Sequence, residues 1–324
     1  MRDPLEFYEY PEEWVSERCI AEGRSSVKRK IESGLFILTA EGWLRRGITT
    51  GTTATAAILG AVLWKERVEV QTPAGIPVFV NVRLKREEAS AEALKFAGDH
   101  AFDATDRLKI IAKIERGERR GHRGHDIVFG EGIGTFKNGR KAVSEAVLRQ
   151  ISENLRRIEA EFAENTILVE VPSGREVAKR TGNEQKGIFG GVSLLGTTGF
   201  VEPWCEKLLR TKIEIARRYD KIALTTGRSG WRFCMQNLRG FQPFVFGVHI
   251  EEALSALQDC EEIVIVGAPS LLLKWAMPEK WRKMRTLKGR KREVAIENIS
   301  KAVLKKARSI NENVSEAIIL SFFA

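Results

Sequence analysis

The feature that most limits what this chain can fold into is a change in its apolar rhythm, which divides the sequence into stretches of different period. From Val68 to about Val128 the period is two. "RVEVQTPAGIPVFVNVRLK" sets Val78, Val80, Val82 and Leu84 on one face, and "TPAG" supplies a Pro/Gly turn, so the stretch predicts a hairpin with one buried side. "RLKIIAKIE" continues the alternation. After the loop "GEGIGTFKNG", Val143, Val147, Ile151, Leu155, Ile158 and Phe162 recur every three or four residues, which predicts a long amphipathic helix over "KAVSEAVLRQISENLRRIEAEFA". "TILVEV" then reads as a strand and "TGNEQKG" as a polar connector. Beyond it the short apolar runs "GVSLLG", "KIALTTG", "PFVFG", "EEIVIVG" and "EAIILSFF" alternate with helical segments.

Strands separated by helices imply a parallel sheet wound on both faces. The expected fold is therefore α/β and α+β. Residues 1–185 should form an N-terminal α+β domain with antiparallel strands, and residues 186–324 a C-terminal Rossmann-like domain with a doubly wound parallel sheet. Ligands would lie beyond the carboxyl ends of the parallel strands, in a cleft between the two domains.

Charge narrows the partners. The 53 basic and 43 acidic residues leave a net charge of +10, which suits an anionic ligand without choosing among phosphate, polycarboxylate and nucleic acid. No apolar run approaches the roughly 20 residues that span a bilayer. "MRDPLEFYEYPEEW" is acidic and aromatic, unlike a signal peptide, so a cytoplasmic location and no membrane partner are expected. Cys19, Cys205, Cys234 and Cys260 are scattered and form no CxxC pair, so reduced thiols and no metal site are expected.

The triplet Thr-Thr-Gly occurs three times, at Thr49–Gly51, Thr197–Gly199 and Thr225–Gly227, with unrelated flanks that argue against a repeat. In "GITTGTTATAAILGAVLW", Thr52 or Thr53 can cap the helix that follows, and Gly51 lets backbone or ligand approach. Thr49, Thr50, Gly51, Thr52 and Thr53 then offer donors at a positive helix end, either as an anion site or only as a cap. "GIFGGVSLLGTTGFVEPW" reads as strand, Gly-rich turn and helix, with Glu202 and Pro203 opening the helix. It lacks the GxGxxG and GxxxxGK[ST] fingerprints, although Gly190, Gly191, Gly196, Thr197, Thr198 and Gly199 could still let an adenosyl or phosphate group lie against backbone. Glu202 could meet a ribose or a sulfonium, or merely stabilise the helix start. In "KIALTTGRSGW" the turn recurs with Thr226, Gly227 and Arg228, whose guanidinium could grip a carboxylate or stay solvated. No Ser-His-Asp set or HExxH is readable, and no catalytic residue is assigned.

Four blocks, "LRRGITTGTTATAA", "GEGIGT", "VPSGREVAKRTGNEQKGIFGGVSLLGTTGFVEP" and "LTTGR", occur in this order between about Gly34 and His249. Together they resemble the CbiD family, and the N-terminal "DPLEFYEYPEEW" is similar to the extension of archaeal members. The resemblance implies a C(1)-methyltransferase that moves a methyl group from S-adenosylmethionine, as co-substrate, to carbon 1 of cobalt-precorrin-5B, giving cobalt-precorrin-6A. Cobalt would be present only as part of that corrinoid. On this footing the donor is expected at Gly190–Glu202, and the substrate carboxylates at Thr49–Thr53 and Thr226–Arg228. The partner is a small corrinoid, no nucleic acid is expected, and a homodimer stays among the open assemblies. The chain departs from the family pattern in "VGAPSLLLKWAMPEKWRKM", which has no histidine, and in "FKNGRKAVSEAV".

Two other function classes compete. A nucleic-acid-binding protein could use "RGERRGHRGHD" and "EKWRKMRTLKGRKR", and an enzyme of another anionic metabolite, such as a phosphate ester, could use the same Gly/Thr turns.

Overall fold

The structure is a computed structural model that describes residues 1–116, 126–158, 165–279, 281 and 290–320. It is a mixed α/β protein made of two compact units: Arg18–Cys205, and Met1–Glu17 together with Glu206–Ala324. The division therefore falls at 205/206 rather than at 185/186, and the first 17 residues join the carboxyl-terminal unit. Helix α1 (Glu12–Glu22) carries the first division point.

In the central unit, α2 (Arg24–Glu32) leads to the hairpin β1 (Phe36–Thr39) and β2 (Gly42–Arg45), then to the short β3 (Gly47–Ile48) and to α3 (Thr50–Leu63). The strands β4 (Arg67–Gln71), β5 (Pro77–Lys85), β6 (Ser90–Leu94), β7 (Lys109–Arg116) and β8 (Asp126–Phe129) follow. After them come β9 (Thr135–Phe136), α4 (Glu145–Arg157), β10 (Asn165–Glu170), α5 (Gly174–Ala178), β11 (Ile188–Phe189) and β12 (Phe200–Val201). Six strands form one sheet in the order β4-β5-β6-β7-β10-β8. The period-two stretch is thus a hairpin, with Val70 opposite Val78 and Val68 opposite Val80.

Alternation gives this sheet two unlike faces. Val68, Val70, Val78, Val80, Val82, Ala91 and Ala93 are buried against α3, and each valine so buried contributes about 1.5–3 kcal/mol. Helix α3 is buried from Thr50 to Val62, as its apolar, small-residue composition demands. Gly60 permits the close approach, because a Cβ there would lie 2.6 Å from Val82 Cγ2. The amphipathic stretch forms α4, which packs on α3 with Val147 and Ile151 inward.

The carboxyl-terminal unit contains α6 (Glu206–Ala216), β13 (Lys221–Thr225), α7 (Arg228–Asn237), β14 (Gln242–Val245) and α8 (Ile250–Ala256). It continues with β15 (Glu262–Gly267), α9 (Pro269–Ala276), α10 (Arg290–Arg308) and β16 (Val314–Ile319). Its sheet has the order β14-β13-β15-β16, and all three pairings are parallel, as the alternating runs predict. One expected strand is absent. "GVSLLG" makes only isolated bridges, Ile133 to Val192 and Val143 to Leu194, and belongs to the central unit. No helix among the described residues is long and apolar enough to cross a membrane.

Candidate functional site

Two of the three Thr-Thr-Gly triplets meet in the central unit. Thr49, not Thr52 or Thr53, is the N-cap of α3, its side chain accepting from Thr52 N at 3.2 Å. The main chain of 193–199 wraps this helix start. Thr49 N donates to Gly199 O at 2.9 Å and Gly51 N to Leu195 O at 3.0 Å. Thr50 Oγ1 donates to Ser193 O at 3.1 Å and accepts from Leu195 N at 2.9 Å. Thr52 Oγ1 donates to Gly199 O at 3.0 Å and lies 3.2 Å from the donating Gln150 Nε2. Thr53 Oγ1 bonds back to Thr49 O at 3.0 Å. These hydroxyls and amides, expected to face an anion, are therefore taken up by the protein's own groups.

The glycines serve the same closure. A Cβ on Gly51 would lie 2.2 Å from Val147 Cγ2, and one on Gly196 would lie 2.3 Å from Thr49 Oγ1. Gly199 has φ +88° and would meet Thr72 Cβ at 2.6 Å, so both its backbone angle and its surroundings require glycine. Gly191 packs on Gly132 O, where a Cβ would come within 2.2 Å. Gly190, Leu195 and Thr197 form the exposed part of the loop, while Thr198 Oγ1 accepts from Phe200 N at 3.2 Å.

Glu202 does not open a helix, because α6 starts at Glu206. Its Oε1 instead accepts from Arg46 Nε at 3.0 Å, and the Arg46 side chain is wholly buried. Gln150, Asn154 and Asn183 carry no signal in the sequence, yet they help hold this region. Asn154 Nδ2 donates to Gln71 O at 2.8 Å, and Asn183 bridges Gly191 O at 3.0 Å and Ser193 Oγ at 2.9 Å.

The third triplet behaves differently. It ends β13 and leads into α7, whose N-cap Gly227 has no capping side chain and nothing within 4 Å of the position a Cβ would take. Thr226 Oγ1 accepts from Ala268 N at 3.1 Å, tying this turn to the one after β15. Arg228, expected to hold a substrate carboxylate, is held by the chain's own amino-terminal segment. Its Nη1 donates to Leu5 O at 2.8 Å, and Nη2 lies 3.7 Å from Glu6 Oε1. Glu6 is fully buried, paired with Lys212 Nζ at 2.5 Å, and accepts from Val245 N at 3.1 Å. Tyr8 stacks on Phe244 at 5.6 Å. The acidic aromatic start is thus a strap along the edge strand β14, reaching the start of α7.

Cys234 is buried beside that sheet, and burial pushes its thiol up to about 12, which removes it as a nucleophile at neutral pH. Residues 117–125, most of "RGERRGHRGHD", lie outside the described residues, as do 280 and 282–289 of "EKWRKMRTLKGRKR".

The CbiD family profile matches residues 38–203, and a protein of Archaeoglobus fulgidus called cobalt-precorrin-5B C(1)-methyltransferase is 47% identical over 279 residues. That alignment covers 85% of this chain and 87% of the relative. The chain belongs to the CbiD family. A Methanoculleus marisnigri protein of the same name is 37% identical over 86% of this chain and 84% of its own. The crystal structure of a cobalamin biosynthesis protein (cbiD) from Archaeoglobus fulgidus superposes with a TM-score of 0.79 and 41% identity, covering 99% of this chain and 100% of that one. The CbiD match lies wholly inside the central unit. There "GITTGTT", "GEGIGT", "PSGRE" and "GGVSLLGTTG" touch backbone to backbone, with a Cβ on Gly174 falling 2.0 Å from Gly132 O. Much of what marks this chain as a CbiD protein is therefore glycine- and threonine-mediated packing.

Proposed function

We propose that the protein transfers the methyl group of S-adenosylmethionine to carbon 1 of cobalt-precorrin-5B, giving cobalt-precorrin-6A in cobalamin biosynthesis. The observation that carries this is 47% identity to a cobalt-precorrin-5B C(1)-methyltransferase across most of both chains. The donor arrives activated as a sulfonium. What remains for the protein is to hold methyl and ring carbon about 3–3.5 Å apart and to keep water out, for which orientation supplies much of the rate. Cobalt enters within the substrate.

For the donor, the end of the four-stranded sheet is the better-supported place, and we assign that unit a Rossmann-like role. β14 lies on one side of β13, while β15 and β16 lie on the other, so the connections after β13 and β15 leave in opposite senses. Ligands of open parallel sheets bind at such a switch point. The turns there are Thr226–Gly227 and Gly267–Ala268, and the space beside Gly227 favours backbone contact with an adenosyl group. The second assignment, the Gly190–Glu202 loop, keeps support only at its exposed residues Gly190 and Thr197. Donor affinity separates the two: Gly227→Val should weaken it and Thr197→Val should not, and the opposite pattern would move the donor to the loop.

The activity itself is tested by incubating the purified protein with labelled S-adenosylmethionine and cobalt-precorrin-5B, followed by mass spectrometry. One labelled methyl on the macrocycle is expected. No transferred label, from protein shown to be folded, would overturn the proposal.

A further inference from the structure

The face of the six-stranded sheet turned away from α3 is unlike the solvated side of an ordinary antiparallel sheet, which is polar. Phe79 on β5 is 59% exposed, Leu94 on β6 is 50% exposed, and Phe96 just beyond β6 is 41% exposed. With Leu35 and Ile48 they line a cavity of about 650 Å³, within the range of small-molecule sites. Ile48 immediately precedes the first Thr-Thr-Gly triplet, and its amide donates to Phe96 O at 2.8 Å, so the cavity borders the family's signature segment.

The charges around this apolar strip are arranged to receive anions. The one carboxylate lining the cavity, Glu92, is already covered, with Lys85 Nζ at 2.7 Å and Lys109 Nζ at 3.4 Å from its Oε1. Burial works to raise its pKa, but the Lys85 hydrogen bond and the charge of Lys109 outweigh that and hold it low, so it stays an occupied anion. Arg83, opposite Glu92 on β5, lines the same cavity and has no acidic partner among the described residues. Arg67 stands over the Phe79 ring at 4.9 Å from its centroid, while Arg45, 5.5 Å from the Phe96 centroid, is already paired with Asp99 at 3.2 Å. Large exposed apolar patches rimmed by polar groups mark interaction surfaces. An apolar floor with an unpaired cation at its side suits a flat ring whose edge bears carboxylates.

We infer that this sheet-face cavity is the platform for the carboxylate-fringed tetrapyrrole, which lies against Phe79, Leu94 and Phe96 with one of its carboxylates on Arg83. The inference rests on the methyltransferase reading for the identity of the substrate. It replaces Thr49–Thr53 as the corrinoid contact, since the hydroxyls of Thr50, Thr52 and Thr53 donate to main-chain carbonyls and that of Thr49 accepts from Thr52 N.

The test is calorimetric titration of the full chain with two corrinoid probes: dicyanocobyrinic acid, whose side chains end in carboxylates, and dicyanocobinamide, whose side chains are amides. Arg83→Glu should weaken the acid about tenfold or more, the scale of a charge-assisted pair, while moving the amide less than about twofold. Phe79→Ser with Leu94→Ser should weaken both probes about tenfold through lost apolar contact. All these side chains are substantially exposed or at the cavity surface, so thermal unfolding should stay close to that of the wild type. Wild-type protein that binds neither probe, or variants that bind both as tightly as the wild type, would overturn the inference. So would variants that dissociate a dimer while leaving probe affinity unchanged, because the face would then belong to a second copy. The two readings fail separately. If wild type and variants methylate cobalt-precorrin-5B with the same KM, the platform falls and the activity stands; if the folded wild type transfers no methyl group, the activity falls whatever the probes do.

Discussion

The same three letters stand at the start of α3 and just before α7, and the surroundings of the two helix starts are opposite. At α3 the hydroxyls of Thr49, Thr50, Thr52 and Thr53 and the amides of Thr49 and Gly51 are bonded within the chain, largely to the main chain of 193–199. At α7 the N-cap is a glycine with no side chain to cap the helix and open space beside it, although Arg228 one residue on is clamped by the amino-terminal strap. A Thr/Gly turn before a helix is by itself only a set of donors. Whether they serve a ligand depends on which carbonyls the rest of the chain brings to them, and at α3 it brings Ser193, Leu195 and Gly199.

The sharpest way to break this contrast is to remove the strap's anchor. Glu6→Ala leaves Lys212 buried without its carboxylate and should cost about 3–5 kcal/mol in a denaturant melt. Next, Gly199→Val should cost about 3 kcal/mol or more, because φ +88° and the contact with Thr72 both exclude a branched side chain. A smaller loss, about 1–3 kcal/mol, is expected for Thr52→Val, which keeps the shape but strips the hydroxyl that bonds Gly199 O and Gln150. Smallest of all, Gly227→Ala should change stability by less than about 0.5 kcal/mol, since its extended φ of 170° suits any residue and no atom is displaced. If Gly227→Ala were as damaging as Gly199→Val, the two helix starts would not differ as described.

Local chemistry made much of the fold legible. The alternation of Val78, Val80 and Val82 is a property of neighbours, and so are the helical spacing of Val147 and Ile151 and the runs that became β13, β14, β15 and β16. Long-range pairing was not legible. "GVSLLG" has the composition of a strand, but Ser193 and Leu195 spend their main-chain groups on Thr50, 143 and 145 positions away. Glu6 reads as one acid among several, and its role appears only when Lys212, 206 positions later, reaches it through the fold. Arg228 stands out in the sequence for its charge beside a Gly/Thr turn, yet nothing local shows that its partners, Leu5 O and Glu6, come from the chain itself. The candidate residues stand out in the sequence as Gly/Thr turns, while the contacts that commit most of them to packing are long-range and are encoded by no local pattern.

The α7 turn, unlike the α3 turn, retains open space beside its backbone. Calorimetric titration of S-adenosylmethionine into Gly227→Val tests most directly whether that space serves the donor, because a Cβ there meets no atom within 4 Å and the added side chain grows from the backbone proposed to face the donor. A loss of donor affinity of about tenfold or more, with unfolding temperature unchanged, is the predicted result. Wild-type affinity in that variant would contradict the account.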